Sequence, residues 1–262
     1  MEFYRVWAIT LRHLRHIIHD FSRLTVIFYW PFEEIILWGY SGLWVQSDTG
    51  GLSHVGLSLL IGAVLWQITV RANYDISLNL LEEIWSYNVG NLFSTPLQLA
   101  EWIMAVILLA FITLSVITLF LTTIVWLLYA FSMVSLGWSL LPMLICLFVS
   151  GLSIGFFAAS LLIYWGVRIE PLVYMIGWVF APFSGIYYAL DVLPVWAQCI
   201  ARMLPMSYIF DAIRMVVETG TFPTQYLIMS IVLNVGYFVL ALMLFCRMYE
   251  KSRAEGLARL TG

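Results

Sequence analysis

Residues 75–96 read DISLNLLEEIWSYNVGNLFSTP and form the longest polar interruption in the first half of a very apolar chain. Leu78, Leu81 and Trp85 are spaced i, i+3 and i+7, which predicts a helix with one apolar and one acidic face. Pro96 is expected to end this segment, because a proline disfavours helical backbone in the residue before it. The stretch predicts a short amphipathic helix between two membrane spans that offers a contact for a soluble partner. A solvated loop with one interfacial turn is the alternative.

The composition of the 262-residue chain is that of an integral membrane protein. Hydrophobic residues make up 63% and charged residues 10%, whereas soluble domains average about 25% charged residues. The net charge of −3 argues against a nucleic-acid partner. The three cysteines lie far apart and indicate neither a disulfide framework nor a metal site. We expect no removable signal peptide, because the N-terminus lacks an apolar run with a small-residue cleavage site.

Apolar runs of about 20 residues predict an all-α membrane protein with six spans. The expected bounds are 24–46, 52–70, 102–130, 140–166, 171–190 and 226–246. A turn is expected at 47–51, and a polar tail follows the last span. Pro31 lies inside the first span and is expected to kink it. The chain thus divides into a surface helix, 1–23, and a transmembrane domain, 24–262.

The surface helix is predicted from the two faces of residues 2–23. One face carries the apolar side chains Phe3, Trp7, Leu11, Leu14, Ile18 and Phe21. The other carries Arg5, Arg12, His16, His19 and Arg23. Such a helix lies in the membrane surface with its cations toward anionic lipid head groups. His13, His16 and His19 mimic a metal motif, but they fan across about 120° of the helix, and no carboxylate or cysteine is placed to complete a site.

Residues 182–223 differ from the spans, because they are semi-apolar and contain four prolines. Two short amphipathic helices are predicted there, around 193–204 and 209–216. Asp211 and Arg214 are spaced i, i+3 and can pair on the second helix. A hairpin that enters the membrane and returns fits this pattern, provided that it packs on protein or lines a cavity.

Positive charges set the predicted orientation. With six spans, both termini lie on one side of the membrane. Ten of the twelve Lys and Arg residues fall on that side: four precede the first span, four follow the last, and Arg71 and Arg168 lie in loops. We therefore expect both termini and 75–96 to be cytoplasmic and 182–223 to be external.

Glu33 and Glu34 lie about 13 Å inside the predicted first span, at about 1.5 Å per residue. A carboxylate at that depth must face protein, water or a cation. Adjacent residues on a helix point about 100° apart, so the two cannot share one orientation. Both are candidates for a substrate path or a proton-linked group. The alternative is a structural hydrogen bond at a helix or dimer interface.

Two segments carry a resemblance to a known family. The first is Ser184-Gly185-Ile186-Tyr187-Tyr188, then Leu193-Pro194-Val195-Trp196, then Leu204-Pro205-Met206-Ser207-Tyr208, Asp211-Ala212 and Arg214. The second is Leu81-Glu82-Glu83 with Trp85, continuing through Asn91-Leu92 to Pro96. They resemble the re-entrant signature and the coupling helix of the membrane subunit of ABC-2 type ABC exporters, and the resemblance covers essentially the whole chain. Where many relatives have a proline after the paired aromatics, this chain has Ala189.

The resemblance implies a permease that is not itself an enzyme. Two copies would pair, and each would dock through 75–96 on a separate ATPase subunit. The contacts implied for that subunit are Leu81, Glu82, Glu83, Trp85, Asn88, Arg168 and Glu170. The residues implied for the re-entrant signature are Ser184, Gly185, Pro194, Pro205, Asp211 and Arg214. Glu33 and Glu34 match no pattern of the family.

The sequence agrees that ATP chemistry belongs to another polypeptide. It has no G-x-x-x-x-G-K-[ST] motif, and its sole lysine, Lys251, follows Glu250. We expect no cofactor on this chain, with ATP and Mg²⁺ on the partner subunit. The implied function is export of an amphipathic or hydrophobic substrate across the bacterial cytoplasmic membrane: a drug-like molecule, a lipid or a lipid-linked glycan. The Leu-Pro-x-Ser-Tyr form at 204–208 resembles the drug and lipo-oligosaccharide branch.

Two other hypotheses remain open at this point. A proton-coupled secondary transporter would use Glu33 or Glu34 and would work without an ATPase. A membrane-embedded metalloenzyme would use the histidine triplet and would purify with bound metal.

Overall fold

The computed structural model describes residues 1–44 and 54–256, and within these ranges the regular structure is helical, with no strand. Its helices are α1 (Phe3–His19), α2 (Phe21–Trp44), α3 (His54–Trp85), α4 (Val89–Ser94), α5 (Leu99–Tyr129), α6 (Leu140–Trp165), α7 (Glu170–Val179), α8 (Val195–Ala201), α9 (Pro205–Thr219) and α10 (Thr224–Glu255). Short 3-10 turns precede α6 and α7 and connect α7 to α8. The predicted turn at 47–51, the span ends beside it and the tail end at 257–262 lie outside the described residues.

Three helical segments of the described chain are long and apolar enough to cross a membrane. They are α5, the stretch Gly137–Phe183 that contains α6 and α7, and α10. The chain therefore has the character of a membrane protein, as the composition predicts. Helices α2 and α3, with 24 and 32 residues, exceed the length of about 20 residues that a span requires. The six-span arrangement stays a prediction.

The predicted surface helix over residues 2–23 is divided at Asp20. Helix α1 ends at His19, and the backbone of Asp20 is extended. The Asp20 carboxylate accepts hydrogen bonds from the backbone N–H groups of Ser22, at 2.9 Å, and Arg23, at 3.3 Å. This is the arrangement of a helix N-cap. Asp20 therefore starts α2 and separates it from the surface helix.

Helix α3 departs most from the sequence-based prediction. The sequence predicts a span that ends near residue 70 and a separate short helix over 75–96, whereas α3 runs unbroken to Trp85. The polar side chains between these points are buried against neighbouring helices: Asn73, Asp75, Ser77, Asn79 and Glu83. Residues 71–85 therefore continue the helix, because neighbouring helices bury these polar side chains and shield them from solvent.

The end of α3 is fixed by backbone hydrogen bonds and not by Pro96. The N–H of Asn88 donates to the carbonyl oxygen of Glu83 at 2.9 Å. The N–H of Tyr87 donates to the carbonyl oxygen of Ile84 at 3.0 Å, and the φ of Tyr87 is 56°. These bonds form a Schellman motif with tyrosine at the left-handed position where glycine is usual. Helix α4 follows and ends two residues before Pro96.

Helices α3 and α6 pack closely at two glycines of α6. A Cβ on Gly151 would overlap the carbonyl oxygen of Thr69 and lie 2.7 Å from the Cβ of Ala72. A Cβ on Gly155 would lie 3.0 Å from the carbonyl oxygen of Asn73. Backbones approach this closely only where side chains are absent or small, as in the G-x-x-x-G contacts of membrane helices. These two glycines therefore set the position of α3 in the bundle.

The predicted fifth span, 171–190, is not a single helix. Helix α7 ends at Val179 after 10 residues, a length of about 15 Å. Pro182 follows closely and disfavours continuation of the helix. The two short helices predicted within 182–223 are confirmed as α8 and α9.

Candidate functional site

We call residues 82–96 the elbow; it comprises the last turn of α3, helix α4 and the segment up to the following proline. Its two carboxylates contact basic side chains of α1 and α2. Arg12 forms an ion pair with Glu83, and Arg23 forms one with Glu82. The side chain of Glu83 is only 6% exposed. The acidic face predicted from the sequence is therefore covered by cations of the same chain.

His13 is buried in this cluster and is neutral. Its Nε2 lies 3.6 Å from a carboxylate oxygen of Glu83, beyond hydrogen-bond reach. Burial, helped by the charges of Arg12 and Arg23, lowers the pKa of His13 to about 3. Arg12 is therefore the cation that balances Glu83.

The other histidines of the triplet point to separate partners. Nε2 of His16 lies 3.7 Å from an oxygen of Glu82. Nδ1 of His19 lies 2.8 Å from the carbonyl oxygen of Arg15. Within the part of the chain that the structure describes, no group of three His, Cys, Asp or Glu side chains is arranged to hold a metal ion.

The other end of α1 is tied to the far end of the elbow. Arg5 donates a hydrogen bond to the carbonyl oxygen of Pro96 at 2.8 Å. The buried carboxylate of Glu101 accepts the backbone N–H of Glu2 at 2.8 Å and that of Gln98 at 3.0 Å. Contacts at both ends therefore join the surface helix and the elbow into one unit.

Two aromatic side chains at the end of α3 are exposed. Trp85 is 44% and Tyr87 72% exposed. By contrast, Leu81 is fully buried, and Asn88 is half-buried and donates to a Glu83 oxygen at 2.7 Å. Of the elbow residues implied as ATPase contacts, Trp85 is therefore the most accessible; the roles of all of them stay predictions. Tyr87 was not predicted, and its only sequence signal is an aromatic residue inside a polar stretch.

The 3-10 turn before α7 lies at the same end of the bundle as the elbow. Its Val167 and Ile169 pack against the apolar cluster that contains Ile84 and Val89 of the elbow. Arg168, between them, is exposed, and Glu170 is half-buried. This turn and the elbow therefore lie side by side, and the contact of Arg168 and Glu170 with an ATPase subunit stays a prediction.

Reversing the charge of Glu83 tests the contact between the elbow and α1. Glu83→Arg would place a cation beside Arg12 in a buried site, so we expect a loss of about 2–4 kcal/mol in stability. Combining it with Arg12→Glu restores opposite charges and should recover at least half of that loss. The measurement is thermal unfolding of purified protein in detergent.

The matched control is Arg15→Glu, which changes an exposed arginine of the same helix and should alter stability by no more than about 0.5 kcal/mol. A double variant that is as unstable as Glu83→Arg alone would contradict the pairing.

A cavity of about 670 Å³ lies between α2, α3 and α7. Both carboxylates of the predicted first span line it, and Glu34 is the more deeply placed. Its walls are aromatic: Trp30, Trp38, Tyr74, Tyr174, Trp178 and Tyr187. This volume is within the range of sites for drug-sized ligands, about 300–1,000 Å³. The sequence-based expectation that Glu33 and Glu34 border a path thus has a cavity at their position.

Glu34 is held by two side chains that the sequence did not single out. Nε2 of Gln67 donates to one carboxylate oxygen, and the hydroxyl of Tyr187 lies 3.3 Å from the other. The ring of Tyr187 stacks on Trp38 with 4.3 Å between centroids. The sequence did offer a signal for Gln67, because it is a polar residue inside the apolar run of 52–70. No sequence signal could place Tyr187, since it is 153 residues from Glu34.

A second cavity, of about 280 Å³, lies between this one and the elbow. The two share lining residues along α2, α3 and α7: Val26, Ile27, Arg71, Tyr74, Leu78 and Tyr174. The lining of the second cavity also includes Glu82 and Trp85. The elbow and the aromatic cavity are therefore linked by an adjoining cavity with shared walls.

The predicted signature residues of 182–223 stabilise the turn between α7 and α9. Arg214 donates to the carbonyl oxygens of Gly185 and Tyr188 and, at 2.8 Å, to the carboxylate of Asp211. Gly185 has φ +74°, a conformation that other residues rarely adopt.

The remaining signature residues sit at helix starts or tight turns. Pro194 and Pro205 stand at the starts of α8 and α9. The hydroxyl of buried Ser184 donates to the carbonyl oxygen of Ala181 at 2.7 Å. The structure brings all of these residues into one folded segment.

Neither the models of protein families nor the curated proteins with which the chain was compared gave a match.

Proposed function

We propose that this chain is the transmembrane permease subunit of an ATP-driven exporter of the ABC-2 type. In this proposal it crosses the bacterial cytoplasmic membrane six times, with both termini cytoplasmic, and works as a pair of identical subunits. A separate ATPase subunit binds the elbow and supplies ATP hydrolysis. The cargo is an amphipathic or hydrophobic molecule moved outward. This chain serves as a non-catalytic membrane component.

The observation that carries the proposal is the continuity of α3 from the elbow to the aromatic cavity. Gln67 contacts Glu34 in the cavity, and Trp85 is exposed at the end of the same helix. The separation of 18 positions between Gln67 and Trp85 corresponds to about 27 Å of rigid helix. A displacement of Trp85 by a bound ATPase would therefore move the cavity wall directly. The contacts from α1 would carry the surface helix along with it.

Association with an ATPase through the exposed aromatics of the elbow is the test. Tagged protein purified from native membranes in mild detergent should carry a second polypeptide with a phosphate-binding loop and ATPase activity. Trp85→Ala combined with Tyr87→Ala should reduce its recovery at least about tenfold, because exposed aromatic side chains dominate such contacts. Quantitative mass spectrometry and ATPase assays give the readout.

Trp138→Ala is the matched control. Trp138 is 89% exposed and follows α5, which leads away from the elbow over 31 residues; its removal should leave the recovered ATPase unchanged. Full recovery with the elbow variant would place the ATPase contact elsewhere. Transport by the purified chain alone, driven by a proton gradient, would instead favour the secondary transporter.

A further inference from the structure

In the described part of the chain, Glu34 is a carboxylate without a basic ion-pair partner. Both of its oxygens are placed to accept hydrogen bonds, from the amide of Gln67 and from the hydroxyl of Tyr187. Two donors on one carboxyl group suit its ionised form, which accepts only. Within residues 1–44 and 54–256, no Arg, Lys or His side chain forms an ion pair with Glu34.

The arginine that lines the same cavity is already paired. Arg71 forms an ion pair with Asp75, one turn further along α3. It is therefore not available to neutralise Glu34. A lone carboxylate within a membrane helix is costly, so a cation that enters the cavity gains an interaction that a neutral molecule does not.

The walls of the cavity suit a cation with an apolar surface. Ring faces of Trp and Tyr attract cations, and this attraction grows when the site excludes water. Trp38 and Tyr187 are stacked within 24° of parallel next to Glu34. Elsewhere in the lining, the indole N–H of Trp178 donates to the hydroxyl of Tyr74 at 3.2 Å, which fixes both rings. The aromatic walls are therefore held in place around the carboxylate.

The lining and size of the cavity suit an organic cation better than a metal ion. Ca²⁺ and Mg²⁺ require several oxygen ligands around one point, whereas most side chains that line this cavity are aromatic or aliphatic. Glu33, the second carboxylate of the lining, is adjacent in sequence and points about 100° away from Glu34. A volume of about 670 Å³ also far exceeds the space of one bare ion.

We infer that this cavity binds a hydrophobic organic cation, with Glu34 as its counter-ion and the stacked Trp38 and Tyr187 as its aromatic wall. That this cation is the exported cargo rests on the proposed function, whereas its binding to the isolated chain does not. The adjoining cavity, whose lining includes Tyr74, Val26 and Trp85, lies on the side of this site that faces the elbow.

The test is equilibrium binding of radiolabelled tetraphenylphosphonium to the purified full-length chain in neutral detergent, without an ATPase. The wild-type protein should bind this cation saturably. Tetraphenylborate, an anion of nearly the same shape, should not compete. Glu34→Gln keeps the shape of the side chain and should weaken binding at least about tenfold, and Trp38→Leu about threefold or more.

The control variants remove one carboxylate and one indole ring that lie outside the cavity. Glu218→Gln and Trp138→Leu alter exposed side chains outside the cavity lining, and each should leave the affinity within about twofold of wild type. Equal competition by tetraphenylborate, or unchanged binding by folded Glu34→Gln, would overturn the inference. Should Glu34→Gln fail to fold, unchanged binding by Trp38→Leu would overturn it as well.

ATPase recovery tests the proposed function, and tetraphenylphosphonium binding tests the cation site, so the two can fail independently. A chain that recovers its ATPase but does not bind tetraphenylphosphonium would leave the exporter standing and remove the cation site. A chain that binds the cation through Glu34 but recovers no ATPase would do the reverse.

Discussion

Replacing Gly151 with leucine is expected to prevent recovery of folded protein. A Cβ at this position would already overlap the carbonyl oxygen of Thr69 and lie 2.7 Å from the Cβ of Ala72. Helix α6 would have to move away from α3 at this close contact. Gly151→Ala, a smaller change, should cost about 1–3 kcal/mol. Size-exclusion profiles and thermal unfolding in detergent give the measurement.

Gly236→Leu is the control for this prediction. Gly236 lies on α10, another apolar helix, and a Cβ there would meet no atom within 4 Å. We expect this variant to purify and unfold as the wild-type protein does. Normal folding of Gly151→Leu would mean that α3 and α6 are further apart than described above.

Replacing Asp75 with alanine is expected to have the second large effect. Asp75 is 1% exposed and accepts hydrogen bonds from Arg71 and from the hydroxyl of Thr113, which joins α3 to α5. Removing the carboxylate leaves Arg71 as a charge with no partner, and its side chain is only 13% exposed. Breaking such a buried pair costs about 3–5 kcal/mol. Thermal unfolding in detergent should show a correspondingly large decrease in the midpoint.

Removing both charges should be less harmful than removing one. The double variant Arg71→Leu with Asp75→Ala buries no unpaired charge, so we expect it to recover most of the lost stability. Glu250→Gln, which changes an exposed carboxylate, should alter stability by no more than about 0.5 kcal/mol. A double variant as unstable as Asp75→Ala would show that the carboxylate acts through Thr113 and not through Arg71.

The sequence predicted those helices that depend on a pattern of neighbouring residues. Long apolar runs indicated α5, α6 and α10, and the amphipathic spacing around 193–204 and 209–216 indicated two short helices, which α8 and α9 confirm. The break between α1 and α2 was missed, although Asp20 is a typical N-cap residue. That signal was present in the sequence and was outweighed by the amphipathic pattern around it.

The sequence could not predict the elements that depend on distant partners. The polar residues after residue 70 indicated the end of a span followed by a separate short helix, yet Thr113, Arg12 and Arg23 supply the contacts that keep them inside α3. Glu82 and Glu83 were expected on an open face for the same reason. The candidate cavity shows the same limit, because Glu34 was identified from its depth, whereas Tyr187 reaches it only through the fold.

The exposed apolar side of α1 bears on the position of the elbow relative to the membrane. Phe3 and Ile18 of α1 are 74% and 55% exposed, and both belong to the apolar face that the sequence assigns to lipid. The opposite side of this helix is fastened to the elbow by Arg5 and Arg12. In the proposed membrane arrangement, the depth at which the bilayer holds these side chains would therefore set the height of the elbow. We expect bilayers of different thickness or head-group charge to change how far the elbow projects from the membrane.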